Sequence, residues 1–161
     1  MEKAPGRPAN ETAGYLCFHR EPEAESEWAA LLVVDARGLP VEFLYSGPLK
    51  PTPVQAILYQ DQLRLQVRLS LVRALLRGLR SRPAFLALQE EDVDRALLAE
   101  LKAPLYVAGA GGGGWLADPP PAAEAVRRRL EEGAGAAEPF GRARAALAYV
   151  VEFETSRSER E

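Results

Sequence analysis

The sequence predicts a single mixed α/β domain with a mixed sheet of five strands, in the order β-β-β-α-β-α-β-α. Its first half separates short apolar runs by tight turns, which indicates strands that pair antiparallel. Its second half separates apolar runs by amphipathic segments, which indicates parallel strands reached through helices. With 161 residues, of which 47% are hydrophobic, the chain is long enough to bury one substantial core.

Three strands are predicted before the first helix, at residues 15–19, 29–35 and 41–46. Asp35 to Gly38 suits a tight turn between the second and third strands, because glycine accepts the positive φ that such turns need. We therefore expect these two strands to form an antiparallel hairpin beside the first.

The first helix is predicted to begin at Pro53. Thr52 is a favourable N-cap, and Gln55 completes a capping box three residues later. Apolar residues then recur with helical spacing as far as Leu79, so we predict a long helical segment with a break near Asp61.

The second half predicts two buried strands, at 84–88 and 105–109, because both are short apolar runs. Amphipathic helices are predicted in EEDVDRALLAELKA, PPAAEAVRRRLEEG and EPFGRARAALAYVVEF. The two ends of the chain are polar. We expect residues 1–13 and 154–161 to be disordered tails of a domain that spans 14–153.

A glycine-rich stretch, YVAGAGGGGWLADPPP, contains the spacing G-x-G-x-x-G at Gly109, Gly111 and Gly114. In dinucleotide sites the third glycine opens a helix whose amide groups face the phosphates. Here the prolines at 119–121 disfavour a helix at that point. We therefore predict no bound cofactor and a loop that is mobile unless Trp115 anchors it.

Composition and charge indicate a cytoplasmic protein with no membrane partner. The formal net charge is −3, and no apolar run is long enough to cross a bilayer. Cys17 is the single cysteine, so no internal disulfide can form. Cys17 and His19 would share one face of a strand, and packing explains that pair better than nucleophilic chemistry.

A series of arginines is the most informative feature. Arg73, Arg77 and Arg80 fall on one side of the predicted helix, and with Lys50 they would form a surface for nucleic acid or an acidic protein. The competing interpretation pairs the arginines with acids on neighbouring elements, such as the acidic loop 21–27. Between Gln62 and Gln89 the series comprises Arg64, Arg68, Arg73, Arg77, Arg80 and Arg82, with no acid among them.

The predicted order of elements resembles that of the ribonuclease H-like fold, and no family motif accompanies this resemblance. A nuclease of that fold implies two metal ions held by converging carboxylates. The candidate ligands are Asp35, Glu90 and Asp92, although the first strand, YLCFHR, carries no acid. The sequence therefore favours a non-enzymatic binding or interaction module that uses the arginine-rich helix. A metal-dependent nuclease or another hydrolase of this topology is the alternative.

Overall fold

A mixed sheet of six strands forms the centre of the protein, in the order β3-β2-β1-β4-β5-β6. The computed structural model describes residues 11–160. The first three strands are antiparallel, β4 and β5 run parallel to β1, and β6 is antiparallel to β5. The predicted mixed α/β architecture is confirmed, with one strand more than expected. The strands are β1 (Thr12–Glu21), β2 (Ser26–Asp35), β3 (Pro40–Leu49), β4 (Phe85–Gln89), β5 (Leu105–Gly109) and β6 (Gly112–Trp115).

Four of the five α-helices cover the two faces of the sheet. Leucines and valines of α2 and α3 pack on one face, and α4 and α5 pack on the other. Side chains of β2 alternate between these two layers, because successive residues of a strand point to opposite faces, and the whole strand is buried. The helices are α1 (Pro53–Tyr59), α2 (Leu63–Gly78), α3 (Arg95–Glu100), α4 (Pro121–Glu132) and α5 (Glu138–Arg160), with 3₁₀ turns at Gln60–Gln62 and Glu90–Asp92.

The start of α1 follows the predicted capping box. The Thr52 hydroxyl accepts a hydrogen bond from the Gln55 amide at 3.1 Å, and the Gln55 side chain accepts one from the Thr52 amide at 2.8 Å. The predicted break near Asp61 is also present, as the 3₁₀ turn Gln60–Gln62 between α1 and α2. Local sequence chemistry therefore determines this segment.

The ends of the domain differ from the expected bounds. β1 begins at Thr12, and both Thr12 and Ala13 are buried, so the strand reaches into the predicted tail 1–13. α5 continues to Arg160, through most of the predicted tail 154–161. Residues 1–10 and 161 lie outside the described part of the chain.

The predicted mobile glycine loop is wrong, because Gly112–Trp115 forms β6 and pairs with β5. Trp115 anchors this hairpin. Its ring packs 5.1 Å from Phe85 and 5.3 Å from Tyr106, and its indole N–H donates to Glu124 at 2.8 Å. A Cβ at Gly113 would collide with the Tyr106 hydroxyl, so the strand needs glycine at that position.

Candidate nucleic-acid site at the carboxyl edge of the sheet

The parallel strands β1 and β4 end at the same edge of the sheet, which we call the carboxyl edge. Their register runs from Ala13 opposite Phe85 to Tyr15 opposite Ala87, so β1, which ends at Glu21, continues past the end of β4 at Gln89. After β1 the chain turns to one side of the sheet to form β2 and β3, and it later enters β4 on the other side. Open α/β sheets bind ligands at such a switch point, outside the carboxyl ends of the strands.

Four charged side chains meet at this edge, and we call Glu27, Arg64, Arg68 and Asp92 the Arg68 cluster. Arg68, on α2, places Nη1 3.2 Å from Asp92 Oδ1 and Nε 3.7 Å from Glu27 Oε2. Arg64, one helical turn earlier, places Nη2 3.3 Å from Glu27 Oε1. The Arg68 guanidinium also lies 4.4 Å from the centre of the Phe18 ring. Arg68 therefore joins a carboxylate of β2 to one that follows β4.

Three members of the Arg68 cluster, Glu27, Arg68 and Asp92, are largely removed from water. The side chain of Glu27 is 5% exposed and that of Arg68 is 20% exposed. Burial raises the pKa of Asp92, and the neighbouring Arg68 opposes that rise. Within residues 11–160, neither Glu27 Oε2 nor Arg68 Nε makes a hydrogen bond. The Arg64 Nε and Arg68 Nη1 groups do donate hydrogen bonds, to Glu27 Oε1 and Asp92 Oδ1, so the cluster retains capacity for a further polar contact only at the two atoms without a partner.

Two clefts open on either side of Arg64. The larger has a volume of about 570 Å³, carries the cations Arg20, Lys50 and Arg64, and includes Glu25 and Glu27 in its walls. The smaller, of about 320 Å³, is lined by Arg64, Arg68 and the acids Asp61, Glu91, Asp92 and Asp94. The larger cleft is within the size range of small-ligand sites. Cations and buried carboxylates thus lie side by side at the carboxyl edge.

The structure does not bring Asp35 together with the other candidate metal ligands. Asp35 pairs with Thr12 at the start of β1, whereas Glu27, near the carboxyl edge, lies eight residues earlier in β2. That separation is about 25 Å along the strand. The Asp35 carboxylate accepts hydrogen bonds from the amides of Arg37 and Leu39, both at 2.9 Å. It therefore organises the β2–β3 turn.

Glu90 and Asp92 both lie at the carboxyl edge, in the 3₁₀ turn after β4. Glu90 packs against Gly109, where an added Cβ would collide with its carboxylate. Glu91, between them, faces Arg144 of α5 at 3.5 Å. Among residues 11–160, no three acidic, histidine or cysteine side chains come together in a way that could hold a metal ion. The described residues do not fit the two-metal centre that the nuclease alternative implies.

The arginines predicted as a contact surface do not share one helical face. α2 ends at Gly78, so Arg80 lies beyond the helix, where its backbone amide donates to Glu42. Arg73 pairs with Glu100 of α3 at 2.7 Å. Arg77 is exposed on the last turn of α2. Together with the pairs of Arg64 and Arg68, this supports the competing interpretation, in which arginines pair with acids of neighbouring elements.

Cys17 and His19 do not form a nucleophilic pair. Burial raises the pKa of the Cys17 thiol to about 12, so the thiol stays protonated at neutral pH. His19 Nε2 lies 2.7 Å from Glu21 Oε1, at the end of β1. Packing accounts for Cys17, as the sequence indicated.

The sequence interpretation missed Glu27, Arg64 and Arg68 as members of one site. Glu27 stands in an acidic segment that reads as a loop, although it immediately precedes the apolar run of β2. Arg64 and Arg68 are four residues apart, the spacing that places two helical residues on one face. This spacing was the signal available in the sequence. The acidic partners of the two arginines, Glu27 and Asp92, are distant from them in sequence.

Comparison with solved structures finds proteins of the ribonuclease H-like fold. Endonuclease V from Streptomyces avermitilis is 16% identical with a TM-score of 0.44, over 63% of this chain and 46% of that one. Endonuclease V from Ciona intestinalis, in complex with a 23mer DNA containing an inosine, is 12% identical with a TM-score of 0.37, over 62% and 45%. Argonaute from Marinitoga piezophila, with a guide RNA, is 7% identical with a TM-score of 0.33, over 63% and 16%.

This chain spans less than half the length of the Endonuclease V chains it resembles. No protein family model and no curated protein matches it. Within residues 11–160, no helix is long and apolar enough to cross a membrane. These likenesses concern the arrangement of strands and helices alone.

The preference for a non-enzymatic interaction module is wrong. The solved structures found by the comparison are named as Endonuclease V, and none of those named above is a non-enzymatic interaction module. Of the residues assigned to the contact surface of that module, Arg73 pairs with Glu100 and Arg80 lies outside α2.

Proposed function

We propose that this chain acts on nucleic acid as a nuclease-type hydrolase, with its reaction centre at the carboxyl edge. The observation that carries the proposal is the juxtaposition of two features there. A cleft with the cations Arg20, Lys50 and Arg64 adjoins a cluster with two carboxylates, the buried Glu27 and Asp92, whose side chain is 10% exposed. Cations attract phosphates, and buried carboxylates supply bases for hydrolysis.

Arg20 and Arg64 would contact the phosphates of the bound strand. Arg20 is exposed at the end of β1, and no carboxylate among the described residues forms an ion pair with it. Arg64 is 58% exposed, although it also approaches Glu27. Guanidinium groups suit phosphates because their donors match two phosphate oxygens at once. Lys50 lines the same cleft.

Asp92 would act as the general base. Burial raises its pKa, and a carboxylate with a raised pKa accepts a proton more readily than an ordinary one. In the proposed step Asp92 accepts a proton from water, and the water oxygen attacks phosphorus. The bond from phosphorus to the leaving sugar oxygen then breaks, that oxygen takes a proton from solvent to become a hydroxyl, and Asp92 returns its proton to solvent. Because the described donor set does not fit two metal ions, no step is assigned to a metal.

The test is cleavage of labelled single- and double-stranded DNA and RNA, with divalent cations and with chelator in parallel. Asp92→Asn is expected to lower the cleavage rate about 100-fold or more, because it removes the base and keeps the side-chain volume. Asp118→Asn is the matched control, since Asp118 is exposed in the connection between β6 and α4. Its cleavage rate should equal that of the unmodified protein.

Two results would contradict the proposal. One is the absence of cleavage of every substrate by the unmodified protein. The other is an equal loss of cleavage in both variants, which would place the chemistry elsewhere. Asp92→Asn also removes the charge that pairs with Arg68, so its melting temperature should fall and cleavage is compared at a temperature where both proteins are folded. Oligonucleotide affinity close to the unmodified value then separates a lost base from a lost fold.

A further inference from the structure

α1 is a helix without a buried side chain. Its Ile57 and Leu58 are 71% and 72% exposed, and Val54 is exposed as well. These three residues fall within about 100° of one another around the helix axis, so they form one apolar stripe. A two-turn helix gains little stability by itself in water. An exposed stripe of this kind is typical of a protein interaction surface.

We propose that the stripe packs against α1 of a second copy of this chain, with the two helices antiparallel. α1 carries no charged residue, so two copies can approach without repulsion between like charges. A two-fold interface must be complementary to itself, because each subunit presents the same surface. An uncharged stripe of aliphatic residues meets that requirement.

The charges that flank α1 specify the antiparallel orientation. Lys50 precedes the helix and Asp61 follows it, and both are exposed. Neither residue forms an ion pair within the part of the chain that the structure describes. In an antiparallel pair, Lys50 lies opposite Asp61 of the partner subunit at each end of the interface. The resulting dimer is weak and depends on concentration, because the stripe is small compared with a standard interface.

The first test is sedimentation velocity of the full chain over a wide range of concentrations, without nucleic acid. The unmodified protein should shift from monomer to dimer as its concentration rises. Ile57→Asp should raise the dimer dissociation constant about tenfold or more and leave the melting temperature unchanged, since Ile57 is exposed. Leu116→Asp places the same charge on another exposed apolar residue and should leave the dissociation constant unchanged.

The second test uses charge reversal to separate a second copy from any other occupant. Lys50→Glu and Asp61→Lys should each weaken the dimer about tenfold, because each variant faces itself with like charges at both ends. An equal mixture of the two variants should recover the dimer, because opposite charges then meet at both ends.

Three results would overturn the inference. They are a monomer at every concentration, an equal effect of Ile57→Asp and Leu116→Asp, and a mixture that dimerises no better than the single variants. None of these readouts uses cleavage or nucleic-acid binding. Failure of the dimer is therefore distinguishable from failure of the proposed function, although Lys50 also lines the larger cleft.

Discussion

Replacing Arg68 with alanine is expected to lower the free energy of unfolding by about 3 kcal/mol, because it leaves buried carboxylates without their shared cation. Arg68 is close to both Glu27 and Asp92, and it also covers the Phe18 ring. Its 20% exposure keeps the expected loss below that of a fully buried ion. Denaturant unfolding of both proteins at neutral pH measures this difference.

Arg77→Ala is the matched control for Arg68→Ala. Arg77 lies on the same helix but is exposed. Its replacement should change the free energy of unfolding by no more than about 0.5 kcal/mol. Equal losses in the two variants would show that the Arg68 cluster contributes no special stability. The double variant Glu27→Gln with Arg68→Ala should recover part of the loss, since one unpaired charge is then absent.

The loss caused by Arg68→Ala should also depend on pH. Burial already raises the pKa of Asp92 in the folded protein, and removal of Arg68 takes away an opposing charge, so the folded pKa should rise further. A carboxyl whose pKa is higher in the folded than in the unfolded protein binds more protons in the folded state. The free energy of unfolding therefore falls as the pH rises above the pKa of that carboxyl in the unfolded chain, which is about 4. The deficit of the variant should therefore shrink on acidification.

Phe85→Ala is expected to lower the free energy of unfolding by about 3–5 kcal/mol. Phe85 is fully buried in β4, and its ring lies 6.4, 6.0 and 5.1 Å from the rings of Tyr15, Tyr106 and Trp115. Truncation would leave a cavity among three large rings that cannot collapse without moving both β5 and β6. Calorimetry or denaturant unfolding measures the loss.

Phe153→Ala, at an exposed position of α5, provides the control of the same residue type. Its effect should be less than about 1 kcal/mol, because little apolar surface leaves the core. If Phe85→Ala lowered the free energy of unfolding as little as Phe153→Ala, the described packing of the β5–β6 hairpin on β4 would be contradicted.

Much of the fold follows from local sequence. The capping box at Thr52 and the Asp35–Gly38 turn depend on contacts within a few residues, and both occur as predicted. The mixed sheet follows from the change between short turns and helical connections. β6 could not be predicted in this way, because its glycines have low strand propensity and Trp115 is held by rings from β4 and β5.

Which residues meet at the candidate site depends on the register of the paired strands, and the sequence does not show that register. Asp35 and Glu27 lie on one strand, yet only Glu27 reaches the edge where β4 ends. Within the Arg68 cluster, Asp92 and Glu27 are 24 and 41 positions from Arg68 along the chain, so no local sequence pattern predicts the cluster. The arginine series included Arg64 and Arg68 without singling them out, and Asp92 was a candidate ligand from sequence, whereas Glu27 joined the site only through the fold.

The affinity of the protein for a labelled oligonucleotide, measured by fluorescence anisotropy at several salt concentrations, tests the central claim most directly. If phosphates bind at the carboxyl edge, Arg20→Gln should weaken binding. It should also reduce the steepness of the slope of log affinity against log salt concentration by about 1. Arg77→Gln, on the last turn of α2, should bind like the unmodified protein. Weakening by Arg77→Gln but not by Arg20→Gln would contradict the account, and so would binding that neither change affects.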